Sequence, residues 1–92
     1  MLLVEDYAPV RRAMARFLAH HGLDVDEATN GVEALELLAT ESFDVIVSDV
    51  AMPRMSGLEL LRAIRVRGLE LPVILLTGTA DLADEAEAIG LG

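Results

Sequence analysis

Short apolar runs alternate with helical periodicities along the whole chain. Short apolar or alternating runs bounded by turn residues predict strands at 1–4, 23–28, 43–47 and 73–76. Helices are predicted between them by apolar stripes at Val10, Ala13, Met14, Phe17 and Leu18, at Val32, Leu35, Leu38 and Ala39, and at Leu58, Leu61 and Ile64. A weaker helix is predicted over 80–89. The order βαβαβαβα, without internal repeat or linker, favours one α/β domain with a parallel sheet.

Composition excludes several classes of function. Hydrophobic residues make up 53% of the 92 positions and charged residues 25%, a balance that predicts a folded chain. The formal net charge of -9, with only 7 Lys and Arg, argues against binding to nucleic acid phosphates. The absence of cysteine excludes disulfides and thiolate sites. No segment has the pattern of a membrane span or a secretory signal, so we expect a cytoplasmic protein with no membrane contact.

Polar side chains follow three of the predicted strands, at the end of the strand where open α/β sheets bind ligands. Glu5-Asp6 follows the first strand, Asp49 the third and Thr77 the fourth. Right-handed crossovers would place these three strands side by side and bring three carboxylates and a hydroxyl to one rim. Carboxylates at such distances raise one another's pKa unless a cation lies between them, and Mg²⁺ prefers oxygen ligands. The sequence therefore predicts a divalent cation site.

These residues carry a resemblance to a known family. The chain resembles the receiver domain of two-component response regulators in Glu5-Asp6, in Asp49 followed by Met52-Pro53 and Gly57, and in Thr77-Gly78. The resemblance spans the whole chain in order and spacing. It implies a flavodoxin-like, doubly wound α/β fold with a parallel sheet in the order 2-1-3-4.

The resemblance also assigns roles to individual residues. Asp49 would be the phosphoacceptor, and Glu5, Asp6 and Asp49 would bind Mg²⁺ together with the backbone carbonyl of Ala51. The hydroxyl of Thr77 would turn towards the phosphoryl group. The implied partners are a histidine kinase or phosphotransfer protein, with an output domain or a second copy of the domain as further candidates. A signalling domain of this kind is a phosphoacceptor that assists its own phosphorylation and dephosphorylation, rather than an enzyme with a separate substrate.

Receiver domains also have a fifth strand and a fifth helix, and we expect both to be missing here. The resemblance places a Lys after that strand and an aromatic residue within it, whereas residues 1–92 contain no Lys. Residues 1–92 would then be one receiver domain that is incomplete at its C-terminal end. The edge of the sheet along 73–76 is accordingly expected to be unprotected.

Several of these residues also have simpler interpretations. Asp6 could cap the first helix, a role compatible with metal binding, and Thr77 alone could be an ordinary β-branched strand residue. Gly22 is placed to end the first helix in a left-handed conformation. Structural or solvent-facing roles are predicted for the charged residues of the first helix, namely His20 and His21 in its last turn and Arg11, Arg12 and Arg16 on a solvated face.

Four other functions compete with a phosphoacceptor. Phosphatases with an aspartate nucleophile resemble one another in an Asp-x-Asp motif, whose second Asp acts as general acid. Ala51 stands where that second Asp would be. A flavin-binding domain would need a phosphate loop after the first strand, where Glu5-Asp6 repels phosphate. No Gly-x-Gly-x-x-Gly supports a dinucleotide fold. The fourth alternative is a receiver-like interaction module that is never phosphorylated, and such modules usually lack one of the acidic or hydroxyl residues that this chain keeps.

Overall fold

A four-stranded parallel sheet forms the centre of the computed structural model, which describes residues 1–52 and 54–76. The strands are β1 (Leu2–Val4), β2 (Asp26–Ala28), β3 (Ile46–Asp49) and β4 (Val73–Leu76), and the helices are α1 (Ala8–His20), α2 (Gly31–Thr40) and α3 (Gly57–Val66). The strands lie in the order β2-β1-β3-β4, which confirms the prediction. The predicted helix over 80–89 lies outside the described residues.

In the described part of the chain, two helices cover one face of this sheet and one helix covers the other. Right-handed crossovers place α1 opposite α2 and α3, and alternate residues of a strand point to opposite faces. Leu2 and Ile46 accordingly pack with Leu60 and Ile64 of α3 in the main core. Val47 points to the other face, beneath α1. The central strands are therefore buried on both sides, as their continuous apolar runs predict.

The ends of the helices are fixed by the residues that flank them. Gly22, with a φ of 86°, ends α1 as predicted, and the N–H groups of Gly22 and Leu23 donate to the last carbonyls of the helix. Asn30 caps α2 by accepting from the Glu33 N–H at 2.8 Å. Ser56 and Glu59 form a reciprocal capping box at the start of α3. The capping box fixes α3 immediately after the loop that follows β3.

The apolar stripe of α1 is only partly buried, which differs from the prediction. No residue of α1 is buried, and Phe17 is 64% exposed. Within residues 1–52 and 54–76, α1 is the single helix on its face of the sheet. Phe17 and Met14 therefore border an apolar groove whose floor includes Val47 and Ile74.

The inward faces of α2 and α3 agree with the predicted stripes in part, since Leu35, Leu61 and Ile64 are buried as predicted. Val32 is exposed, and Ala34 and Leu35 are the buried apolar residues of α2. In α3, Leu60 and Leu61 are fully buried, whereas Leu58 is half-buried. The stripes indicated the presence of both helices correctly and their rotation only approximately.

β4 forms one edge of the sheet in the described part of the chain. It pairs with β3 from Ile46↔Val73 to Asp49↔Leu76, and Ile74 is exposed. This agrees with the expected edge at 73–76. Among the described residues, no helix has the length and apolar character needed to cross a membrane.

The rotation of α3 can be tested by two matched truncations. Leu60→Ala removes a fully buried side chain and is expected to lower the free energy of unfolding by about 2–5 kcal/mol. Leu58→Ala removes the same atoms from a half-buried position of the same helix and should lower the free energy of unfolding by clearly less. Urea denaturation of both variants measures the difference. Equal losses would contradict the assigned face.

Candidate magnesium and phosphoacceptor site

The carboxyl ends of β1 and β3 bring three acidic side chains together. The two strands are hydrogen-bonded neighbours, with Val4 opposite Ser48, so Glu5 is level with Asp49. One carboxylate oxygen from each of Glu5, Asp6 and Asp49 lies within 4.8 Å of the others. The grouping predicted from the sequence is therefore present, although residues 44 positions apart have to meet to form it.

The backbone around Asp49 is held on several sides. Oδ1 of Asp49 accepts a hydrogen bond from the Ala51 N–H at 3.1 Å, and the Val50 N–H donates to the Leu76 carbonyl of β4 at 3.0 Å. The Gly57 N–H donates to the Val50 carbonyl at 2.9 Å. These contacts orient the half-buried Asp49 side chain at the end of its strand.

Gly57 approaches the backbone of Asp49 so closely that no side chain would fit. A Cβ at this position would lie 2.5 Å from the Asp49 carbonyl oxygen and 2.9 Å from the Val50 Cα. Both neighbours are backbone atoms, which cannot rotate away. The first residue of α3 is therefore restricted to glycine by contact with the site.

Glu5 is the most deeply placed of the three carboxyl groups. Its side chain is 5% exposed, and Oε1 accepts a hydrogen bond from the Tyr7 N–H at 3.2 Å. The pKa of Glu5 is raised from its ordinary value of 4.5 to about 7, mainly by burial and then by a hydrogen bond to Asp49 and the charges of Asp49 and Asp6. The hydrogen bond from the Tyr7 N–H acts in the opposite direction and lowers it. The cluster therefore retains a proton on Glu5 near neutral pH unless a cation replaces it.

Asp6 differs from Glu5 because it is exposed to solvent. The N-cap of α1 is Tyr7, which makes no side-chain capping bond. The alternative in which Asp6 caps this helix is therefore wrong. Its carboxylate is free to face a ligand that arrives from solvent, while Glu5 and Asp49 form the deeper part of the cluster.

The donor set fits a hard divalent cation. All three side chains offer carboxylate oxygens, the ligands that Mg²⁺ prefers, and one of them is exposed enough to leave room for water. Burial and the neighbouring carboxylates both disfavour the ionised form of Glu5, which raises its pKa. A bound cation would offset the charge of the three carboxylates and displace the proton from Glu5.

Two further predicted residues are not tested by this geometry. Ala51 lies in the exposed loop after Asp49, and its N–H contacts the Asp49 carboxylate. The role of its carbonyl as a metal ligand stays a prediction. Thr77 lies outside the described residues, so its role also stays a prediction.

Comparison with known sequences identifies the family. The response regulator receiver domain family matches residues 1–92. This chain belongs to the response regulator receiver family. Response regulator MprA of Mycobacterium ulcerans (strain Agy99) is 38% identical over 92 residues, which are 100% of this chain and 40% of that protein. MprA of Mycobacterium leprae (strain TN) is also 38% identical with the same coverage. The receiver domain described here thus spans well under half the length of these relatives.

Solved structures agree with this assignment. The receiver domain of Francisella response regulator 1452 has a TM-score of 0.91 and 31% identity, covering 99% of this chain and 75% of that one. Chemotaxis protein CheY4 of Vibrio cholerae has a TM-score of 0.90 and 33% identity, covering 99% and 78%. These similarities confirm the predicted flavodoxin-like fold of a receiver domain in two-component signalling.

The histidines of this receiver domain lie away from the acidic cluster. α1 runs back from the carboxyl end of β1, so His20 and His21 lie near the opposite end of the sheet. The ring of His21 contacts that of Phe17 edge to face, with centroids 4.6 Å apart. This agrees with the structural role predicted for them.

Arg11 does not lie on a solvated face, contrary to the prediction. Arg12 and Arg16 are exposed as predicted, but the Arg11 side chain is only 12% exposed and forms an ion pair with Glu27 at 3.1 Å. Arg11 also donates to the Glu5 carbonyl at 3.1 Å. Glu27 is 16 positions away, so no local pattern indicated the contact. An Arg in the first turn of a helix that starts beside an acidic rim was the one available signal.

The raised pKa of Glu5 makes the stability of the metal-free receiver domain depend on pH. Between about pH 4.5 and 7 the folded state holds a proton that the unfolded state has lost, so stability should fall as the pH rises through this range. The loss is at most on the order of 3 kcal/mol, at about 1.4 kcal/mol per unit of pKa. Urea denaturation in EDTA should show that the stability of Glu5→Gln lacks this contribution to the pH dependence.

Many groups titrate as the pH changes, and the comparison of wild type with Glu5→Gln isolates the contribution of Glu5 to the pH dependence of stability. The difference in free energy of unfolding between the two proteins should change from pH 5 to pH 8 in favour of the variant. A constant difference across that range would show that Glu5 is ionised in the folded protein at both pH values.

Proposed function

We propose that this receiver domain accepts a phosphoryl group on Asp49 from a histidine kinase or a phosphotransfer protein, in a reaction that depends on Mg²⁺. The observation that carries the proposal is the convergence of Glu5, Asp6 and Asp49 within 4.8 Å in a member of the receiver family. Glu5, Asp6, Asp49 and the Ala51 carbonyl would hold the cation. When bound, Mg²⁺ supplies positive charge that offsets the charge of the phosphoryl group.

The nucleophile in this proposal is a carboxylate oxygen of Asp49. It forms a new bond to phosphorus while the bond from phosphorus to the donor atom breaks, and the donor leaves with that electron pair. The Ala51 N–H fixes the rotation of the carboxylate through Oδ1. Asp49 is less buried than Glu5, so it is the member of the deep pair that a donor can reach. The hydroxyl of Thr77 would donate a hydrogen bond to the phosphoryl oxygens.

The chain is proposed to act as a signalling domain and not as an enzyme with its own substrate. An aspartate phosphatase would need a second acid two positions after the nucleophile, and Ala51 stands there. An interaction module that is never phosphorylated has no need for three clustered carboxylates, which cost stability. Retention of all three supports the phosphoacceptor over that alternative.

The proposed partners follow from the same role. A histidine kinase or phosphotransfer protein would donate the phosphoryl group in the cytoplasm. An output domain or a second receiver domain would respond to it, and the relatives that are longer than this chain support an output domain. The net charge of -9 supports neither nucleic acid nor an anionic membrane as a direct ligand of this domain.

Phosphorylation at Asp49 can be tested with acetyl phosphate and Mg²⁺. Wild type should gain the mass of one phosphoryl group in intact-mass spectrometry, and Asp49→Asn should gain none. Asp44→Asn is the matched control, because Asp44 is exposed and lies just before the same strand. Equal labelling of Asp49→Asn and wild type would show that the acceptor is elsewhere.

Mg²⁺ binding can be tested separately by calorimetric titration. Asp6→Ala should weaken binding at least tenfold, about 1.4 kcal/mol, because it removes one of three converging ligands. Asp24→Ala removes the same charge from an exposed position before β2 and should have little effect. Similar losses in the two variants would indicate attraction to a diffuse acidic surface rather than a site.

A further inference from the structure

The Arg11 side chain connects the acidic cluster to the strand on its other side. Arg11 lies in the first turn of α1, and its Nε donates to Oε1 of Glu27 on β2 at 3.1 Å. Its Nη1 donates to the backbone carbonyl of Glu5 at 3.1 Å. With only 12% of the side chain exposed, solvent competes weakly for these contacts.

The peptide groups of Glu5 are consequently held from both directions. The Glu5 N–H donates to the Ala28 carbonyl of β2 at 3.1 Å, and the Glu5 carbonyl accepts from Arg11. Arg11 is in turn held by Glu27, the residue before Ala28. The start of the turn between β1 and α1 is thus attached to β2 once directly and once through a side chain.

Within the turn itself, the Tyr7 N–H donates to Oε1 of Glu5 at 3.2 Å, but this bond does not attach the turn to the sheet. Tyr7, the N-cap of α1, makes no side-chain capping bond, and Asp6 is exposed. The three carboxylates repel one another once they are ionised. A backbone attachment that does not move is therefore needed to keep the Glu5 and Asp6 oxygens facing Asp49, because Mg²⁺ tolerates little departure from its preferred geometry.

We propose that Arg11 is a positioning residue for this site, holding the Glu5–Tyr7 turn against Glu27 so that the carboxylates of Glu5, Asp6 and Asp49 converge on one cation. The inference rests on the proposed function of the cluster as a Mg²⁺ site. Arg11 offers no oxygen ligand to the cation, and in this proposal it acts through the backbone of Glu5. A residue that merely fastened α1 to β2 would affect stability and leave the Mg²⁺ affinity of the folded protein unchanged.

The test compares four proteins at a temperature where each is folded. The 92-residue chain is titrated calorimetrically with Mg²⁺ alone as wild type, Arg11→Ala, Arg11→Lys and Arg12→Ala. Arg11→Ala should raise the Mg²⁺ dissociation constant about tenfold, the loss typical of a group that orients a ligand. The dissociation constant of Arg11→Lys should lie between those of wild type and Arg11→Ala. An ammonium group keeps the charge but lacks the planar guanidinium that donates to two acceptors at once. Arg12→Ala, an exposed neighbour, should match wild type.

Labelling with acetyl phosphate supplies a second readout. For Arg11→Ala, half-maximal labelling of Asp49 should require about tenfold more Mg²⁺, whereas the rate at saturating Mg²⁺ should stay near that of wild type. If Arg11→Ala does not fold, Glu27→Ala loosens Arg11 from the other side and should raise the dissociation constant in the same direction. Where both can be measured, Arg11→Ala/Glu27→Ala should lose no more affinity than Arg11→Ala alone, because the two residues act in series.

The outcomes separate this inference from the function on which it rests. If wild type binds Mg²⁺ and Arg11→Ala binds it equally well, or Arg12→Ala is weakened as much as Arg11→Ala, the positioning role is overturned and the metal site stands. If wild type neither binds Mg²⁺ nor becomes labelled, both proposals fail. A lower melting temperature of Arg11→Ala with an unchanged dissociation constant would assign Arg11 to structure alone.

Discussion

The parallel pairing of β1 with β3 is the constraint on which the site depends. It places Val4 opposite Ser48, and so sets Glu5 and Asp6 beside Asp49 at one end of the sheet. A slip of one residue would reverse the faces of every side chain in a strand. Leu2 and Ile46 pack in the core with α3 and Val47 lies beneath α1, so such a slip would exchange side chains between two differently packed faces. The packing of the apolar core therefore specifies the positions of the acidic groups.

The acidic cluster is placed where folding alone would not favour it. Burial and two neighbouring carboxylates raise the pKa of Glu5 to about 7, so an ionised Glu5 weakens the metal-free fold. Groups that reduce stability in this way are typical of functional sites. The surrounding contacts of Asp49 with Ala51, and of Val50 with Leu76 and Gly57, provide the rigid backbone that such an arrangement needs.

The sequence predicts features that depend on short-range pattern and fails where a distant partner decides the outcome. The bounds of β4 are the predicted ones because an unbroken apolar run lies between Pro72 and Thr77-Gly78 in the sequence. The third strand begins at Ile46 rather than 43, since an apolar Phe43 can pack without pairing. Strand-end carboxylates were located correctly because crossover handedness is nearly invariant. Arg11 was assigned wrongly because its partners, Glu27 and the Glu5 carbonyl, are set by tertiary structure.

The contact of Gly57 with Asp49 couples the position of the end of β3 to that of the start of α3. A Cβ on Gly57 would lie 2.5 Å from the Asp49 carbonyl oxygen, so the two backbones are in close contact. The capping box of Ser56 and Glu59 stiffens the first turn of α3 on the other side of the contact. A displacement of the Asp49 backbone would therefore have to move the first turn of α3 as well.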